Sequence, residues 1–474
     1  MISLKEAIAQ INQANPIMGS LLKCEKPLLQ YCRENIAFHN FHPAHIERQK
    51  EYKKFIAKKV ESLFTKKEDT RLNLDEDMLL DTTDHHNILN FPTIVGAHLI
   101  SRLDTILERK KFGDYFVLDT GNVTFSEVLN KRGIMLNGKH INLYPKKDKN
   151  KLIGRYPIYE YELLRSAKNS GLKFSKEELA FLEKMQKMID DIDFSTCKNL
   201  SDQITKINYY LWQEFFDPRI AAQARRCITL EHNGILIKYL EKFISEKKDS
   251  FVYKMLFEEK FREIILKEFD GIYGAWNYGG KNSGTHFFWA FNSKDGKRYR
   301  LKIEKNSLIS PENKIEPTEL TPEEIIKNLR NEVLIPSILL KFAIVGTYLG
   351  TKMMGGPGQT EYASKLQNKW LEILKNYDKK EYELAKTVDA SSMNAGDLAF
   401  RKNKKGELIK EWGFDIAMHH RFSKKYLDTI KNIKFKHFVY PFMPISYYRL
   451  TPAEKRQPLG FKESDLLEGL KKAL

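Results

Sequence analysis

Two adjacent histidines beside an aspartate, Asp84-His85-His86, form the most chemically loaded patch of the chain, within the run Asp81-Thr82-Thr83-Asp84-His85-His86-Asn87. Imidazoles and a carboxylate can ligate a metal. The same imidazoles can meet a phosphate when a following helix lends its free N–H groups and positive dipole end. The plainer alternative is one structural histidine and one exposed one. Thirty-five residues later, Asp119-Thr120-Gly121-Asn122 closes an apolar run. A carboxylate there can hold a hydroxyl, an amine or a metal, or can merely end a strand, since Asp, Gly and Asn are turn residues. Far downstream, Gly355-Gly356-Pro357-Gly358-Gln359 can turn backbone N–H groups onto a phosphate or carboxylate, with Lys352 three residues before it.

Together these patches define a candidate site. His85, His86 and Asp119 are its chemical groups. Asp84, Asn87, Lys352, Gly355, Gly356 and Gly358 would hold a cofactor, and Asn122, Gln359 and Tyr362 a substrate. No residue is assigned to a metal. Weaker clusters are Asp415 with His419, His420 and Arg421, and the aromatics Trp276, Tyr278, Phe287, Phe288, Trp289 and Phe291 with Lys281, Arg298 and Arg300. The first reads as a solvated basic helix, the second either as a base-stacking sheet or as a hairpin packing its rings into a core. GxSxG, Walker A, HExxH and kinase motifs are absent.

Elements that position these residues follow from periodicity. Residues 1–75 read as helical, with a long charged helix over 44–66 whose stripe is Ile46, Tyr52, Phe55, Ile56, Val60 and Leu63. A loop over 84–90 leads into a helix over 93–110, with Pro92 in its first turn. The apolar run 114–119 reads as a buried parallel strand. Residues 156–268 read as a helical insertion, with a capping box at Ser175-Glu178 opening a helix to 188, and further helices over 200–216 and 228–244. A hairpin turning at Asp295-Gly296 follows. Then come a helix at Thr321-Pro322, a third strand over 341–349 and an amphipathic helix over 361–379. This divides the chain into an N-terminal helical segment (1–75), the first half of an α/β core (76–155), the insertion (156–268), a hairpin with the second half of the core (269–365) and a mixed, basic C-terminal region (366–474).

At 474 residues two or three domains are expected. The 29 Phe and 22 Tyr argue for a packed core rather than disorder. A net charge of +17, from 79 basic and 62 acidic residues, admits an anionic partner, but the lysines are spread along the chain and not gathered in a tail. Nucleic acid is therefore an unfavoured partner. Four cysteines without CxxC spacing indicate neither a disulfide framework nor a zinc knuckle. The longest apolar stretch, 333–350, is broken by Pro336 and Lys341, so no membrane span and a cytoplasmic protein are expected.

The order and spacing of the three patches resemble the bacillithiol-biosynthesis cysteine-adding enzyme family. Thr83-Asp84-His85-His86 followed by Ile88-Leu89-Asn90-Phe91-Pro92 is similar to that family's Thr-Gly-Gln-Gln loop and helix start. Asp119-Thr120-Gly121-Asn122 followed by Phe125 and Glu127 stands where the family has an acidic, His-containing strand end. The most specific match is Leu334-Ile335-Pro336 through Gly355-Gly356-Pro357-Gly358-Gln359-Thr360-Glu361-Tyr362. The likeness spans roughly residues 80–370. The glutamine pair is replaced by histidines, and the acidic strand end lacks its histidine. The resemblance implies an α/β fold with a Rossmann-like core similar to nucleotidyl transferases, a large helical insertion and helical N- and C-terminal additions. It also implies a ligase or transferase acting on a small molecule of its own, with ATP or another nucleotide as cofactor and a homodimer as one assembly. The alternatives are a metal-dependent Asp-His-His phosphoesterase, disfavoured because Pro357 replaces the histidine of a Gly-Gly-His motif, and a non-enzymatic nucleic-acid binder.

Overall fold

The computed structural model describes residues 1–37, 42–65, 68, 78–108, 115–126, 132–222, 224, 227–277 and 283–474. Glu127, Tyr278 and Lys281 lie outside the described residues, as do the side chains of Asp81, Thr83 and Asp84. The architecture is mixed α/β with small sheets. The elements that matter below are, in chain order, α1 (Pro43–Leu63), β1 (Met78–His85), α2 (Pro92–Glu108), β2 (Tyr115–Thr120), α3 (Leu200–Glu214), β3 (Ile228–Glu231), α4 (His232–Glu246), β4 (Phe288–Asn292), β5 (Lys297–Arg300), β6 (Lys352–Met353) and α5 (Pro357–Tyr377).

Four strands form one all-parallel sheet in the order β6-β1-β2-β3. Asp81 pairs with Met353 and Leu118, and Asp119 pairs with Glu231, so the carboxyl ends of all four strands share one edge. Side chains alternate between the sheet faces. Val117 accordingly joins the apolar cluster that contains α2, and Leu118 joins the cluster that contains α1 and α4. A parallel sheet must be covered on both faces because helical crossovers lie on them, and this one is. The chain runs β1, β2, β3 in one direction and then returns to place β6 on the far side of β1. The strand order therefore reverses between β1 and β6, the crevice where open parallel sheets bind ligands.

Local signals account for the helices that begin at this edge. Pro92 opens α2 and Pro357 opens α5, each at a position whose missing N–H costs nothing. The Glu231 carboxylate caps α4, accepting from the Asn233 N–H at 2.9 Å and the Gly234 N–H at 3.0 Å. The Ser175–Glu178 capping box is formed and opens the helix Lys176–Asp190. The buried stripe of α1 includes Tyr52, Ile56, Val60 and Leu63, and the hairpin β4–β5 turns at Asp295-Gly296.

Two expectations are corrected. The run 341–349 is not a strand. Ser337 caps a short helix, Ile338–Lys341, that passes into a π-helix, Phe342–Tyr348, and the strand is β6, two residues long and further on. A short run buried on all sides has no periodicity that separates strand from helix. The helix expected over 228–244 begins as strand β3, which pairs with β2, and becomes helical only at His232. The helical insertion over 156–268 is thus interrupted by a strand of the central sheet.

Candidate functional site

Strand β1 reaches its carboxyl end at His85, which pairs with Thr120 after a register shift beyond Asp81. The histidines therefore do not occupy an exposed loop. His86 is fully buried. Its backbone N–H donates to Thr120 O at 2.9 Å, Nε2 lies 3.0 Å from Ser201 O, and Nδ1 lies 3.5 Å from Asp119 Oδ2. Both ring nitrogens face acceptors, and only an imidazolium can donate from both. Burial opposes that charge, but the Asp119 carboxylate outweighs it and raises the His86 pKa above its usual value. His86 and Asp119 form a buried pair that is ionic when the ring is protonated, the form the carboxylate favours.

His85 is pushed the opposite way. Burial, reinforced by the Arg298 guanidinium, lowers its pKa to about 4, so it is neutral at physiological pH. Its Nδ1 is buried and makes no hydrogen bond. Two neighbouring imidazoles held in different protonation states by their surroundings are the pattern that divides acid and base roles in active sites.

Arg298 arrives from β5. Its Nη1 donates to the Asn122 carbonyl, and its guanidinium lies 4.6 Å from the centre of the Trp289 ring. Phe287, Phe288 and the preceding Trp276 are packed into the core, Trp289 and Phe291 are half-buried, and the hairpin delivers one cation to the end of β2. Asn122 is buried, and its Oδ1 has no hydrogen-bond partner. Gly121 donates its N–H to Glu231 Oε1 at 3.2 Å, and a Cβ at this position would stand 2.4 Å from Glu231 Cγ. The loop after β2 can lie against the end of β3 only without a side chain there.

At the switch point, Thr82 Oγ1 donates to Gln359 Oε1 at 3.2 Å, and Lys341 Nζ donates to Thr82 O at 2.6 Å. Gln359 folds back so that a Cβ on Gly355 would meet its Oε1 at 2.0 Å. Gly356 precedes α5 with no side-chain cap. A Cβ on Gly358 would stand 2.5 Å from Arg449 Nη1. The glycines of this turn serve close approach, and an uncapped helix start meets a guanidinium.

Three assigned residues sit elsewhere than expected. Lys352 is on strand β6, not in the glycine turn; its Nζ donates to Asn35 O and lies 3.2 Å from Asp389 Oδ2, with burial lowering its pKa. Tyr362 is buried, its ring stacked on Phe342 at 6.0 Å. Asn87 spends its side chain on the Ile88 N–H at 2.9 Å. Asp415 is buried and receives the Trp412 N–H at 3.0 Å, and His419 pairs with Glu411 at 2.9 Å, so that cluster is a structural one rather than a solvated helix.

Asn208, Arg298 as a site residue, Lys341 and Glu231 were not legible as site residues. Asn208 is fully buried on α3. Its Oδ1 accepts from the Leu89 N–H at 2.8 Å, and its Nδ2 donates to Asn87 O at 2.9 Å and to Thr229 Oγ1 at 3.1 Å. Ser201, Thr205 and Asn208 recur at four- and three-residue steps, one helix face; Thr205 and Asn208 bind the sheet edge through their side chains and Ser201 through its backbone carbonyl. The spacing of Thr205 and Asn208 on one helix face is the sequence signal that points to Asn208; Arg298, Lys341 and Glu231 carry none. Asn208→Ala is expected to cost about 2–3 kcal/mol, since it strands several buried polar groups; urea unfolding within 0.5 kcal/mol of the parent protein would show that this clamp carries no load.

No family model matches the chain, and no curated protein matches it.

Proposed function

We propose that this chain is a small-molecule ligase or transferase with a Rossmann-like core, whose nucleotide- or phosphate-binding cleft opens at the carboxyl edge of the parallel sheet. The observation that carries the reading is the opposed electrostatics of His85 and His86 at that edge. A neutral His85, whose Nδ1 makes no hydrogen bond among the described residues, is a weak base with a pKa of about 4, suited to accept a hydrogen bond from an attacking hydroxyl or amine. The buried His86–Asp119 pair anchors the loop behind it. Arg298 supplies a fixed positive charge beside the base, suited to a transferred phosphoryl or acyl group that gains negative charge. The Gly355–Gly358 turn at the start of the 21-residue α5 suits an anionic cofactor group. ATP or another nucleotide is the cofactor in this reading.

The metal-dependent reading has less support from the sequence: Pro357 stands where a Gly-Gly-His motif would carry its histidine. The nucleic-acid reading rests on net charge alone. Calorimetric titration of the purified protein with ATP and ADP, alongside native mass spectrometry, tests the proposal. Saturable nucleotide binding that survives His85→Gln is expected. Failure of both nucleotides to bind, or a stoichiometric transition metal, would overturn it.

A further inference from the structure

A second charged site lies in the C-terminal region, away from the residues of the proposed cleft. The hairpin strands Phe400–Lys402 and Leu408–Lys410 and the helix Lys424–Ile430 enclose a groove of about 270 Å³, whose walls include Arg401, Lys402, Arg421, Ser423, Lys425 and Thr429. Four of these six carry a positive charge at neutral pH.

Arg421 is neutralised within the protein, Leu474 also borders the groove, and the other three cations have less to answer them. Glu411, fully buried behind the groove, is committed: Arg421 binds both of its oxygens, and His419 Nδ1 lies 2.9 Å from Oε1. Burial alone would raise the Glu411 pKa, but His419 and Arg421 bring it below the usual value, so this carboxylate stays ionised and already paired. Arg401 stands 3.9 Å from it, beyond hydrogen-bond range, and spends Nη2 on Asn137 Oδ1 at 3.0 Å. Arg401 Nε is buried with no hydrogen-bond partner. Lys402 and Lys425 are exposed, and among the described residues neither is ion-paired.

We propose that this groove binds the phosphate group of a small phosphorylated molecule. A phosphate monoester brings about two negative charges and three strong acceptors. Arginine matches its oxygens as a planar fork and lysine as a point charge. The Ser423 and Thr429 hydroxyls border the same space, Ser423 Oγ accepting from the Tyr426 N–H at 3.2 Å and Thr429 Oγ1 donating to Lys425 O at 3.0 Å. The volume is at the small end of ligand pockets, which start near ~300 Å³. It accommodates a phosphate with a few carbons and leaves anything larger to extend into solvent. The site is independent of the sheet edge: it uses no residue of the cleft proposed above.

The test is calorimetric titration of the full chain with glycerol 3-phosphate, with glycerol as the uncharged control and inorganic phosphate as the minimal probe. One-to-one binding of glycerol 3-phosphate, weaker binding of inorganic phosphate and none of glycerol are expected. Lys402→Ala and Lys425→Ala should each weaken glycerol 3-phosphate by about tenfold without a shift in melting temperature, because both lysines are exposed. His85→Gln should bind it as the parent protein does, which separates this groove from the cleft. Sedimentation with phosphatidylcholine vesicles containing phosphatidic acid distinguishes a lipid headgroup from a free phosphate. The proposal is overturned if neither phosphate probe binds, if the lysine variants bind undiminished, or if only the phosphatidic acid vesicles are bound.

Discussion

His86→Ala is expected to lower unfolding free energy by about 3–5 kcal/mol, the cost of breaking a buried ion pair from one side. The substitution leaves the Asp119 carboxylate in a site shut off from solvent and strands the Ser201 carbonyl that the ring answered. Asp119→Ala should also destabilise, by less: without the carboxylate burial drives the ring to its neutral form, which leaves one buried ring nitrogen without the acceptor it faced. The two losses should not add. Once one partner is gone the other contributes strain alone, so the double variant His86→Ala/Asp119→Ala should be less destabilised than the sum, with a coupling within the range of about 0.5–3 kcal/mol seen for contacting residues. Urea unfolding of the four proteins at pH 7 measures this. Single variants that unfold within about 0.5 kcal/mol of the parent, the range of surface substitutions, would mean that the pair does not form.

The second large effect is a pH dependence carried by His85. Its folded pKa of about 4 lies below the ordinary histidine value of 6.5. Between those values the unfolded chain binds a proton that the folded chain refuses, so stability rises with pH across that window. His85 thus withdraws stability as pH falls from 7.5, about 2 kcal/mol by pH 5 and ~3 kcal/mol once below its folded value. His86 has the opposite sign: with its pKa raised, its contribution is present below 6.5 and is lost as pH rises through its folded value. A bare stability–pH curve mixes the two. The difference between His85→Gln and the parent protein isolates the first, and the variant should gain on the parent by about 2 kcal/mol between pH 7.5 and pH 5. A constant difference over that range would show that His85 is solvated and charges normally.

The two predictions differ because the two histidines differ, and nothing in the run Asp84-His85-His86 separates them. His85 is the last residue of β1 and His86 the first beyond it, so the two rings meet different surroundings. Which one turns toward Asp119 and Ser201, and which toward Arg298, depends on partners 33, 115 and 213 positions away. The sequence reading placed both in a loop over 84–90. The strand instead continues through His85 because its backbone pairs with Thr120.

What the sequence by itself determined is the local grammar of the edge. The apolar run that ends at Asp119, the prolines at the starts of α2 and α5, the Ser175–Glu178 capping box, the Asp295-Gly296 turn and the long stripe of α1 all carry their reason within a few residues. Only the tertiary structure decided which of these ends meet. β3 and β6 have four and two residues, too short for any periodicity, and they are strands only because β2 and β1 lie beside them to take their hydrogen bonds. The same holds for the polar groups. Asn208 is an unremarked residue within a helix until Asn87, Leu89 and Thr229 are folded against it, and Arg298 is one more surface cation until the hairpin lays it on Asn122. Propensity and capping are short-range and can be read along the chain; burial, pairing and the protonation states they impose exist only once distant segments have been brought into contact.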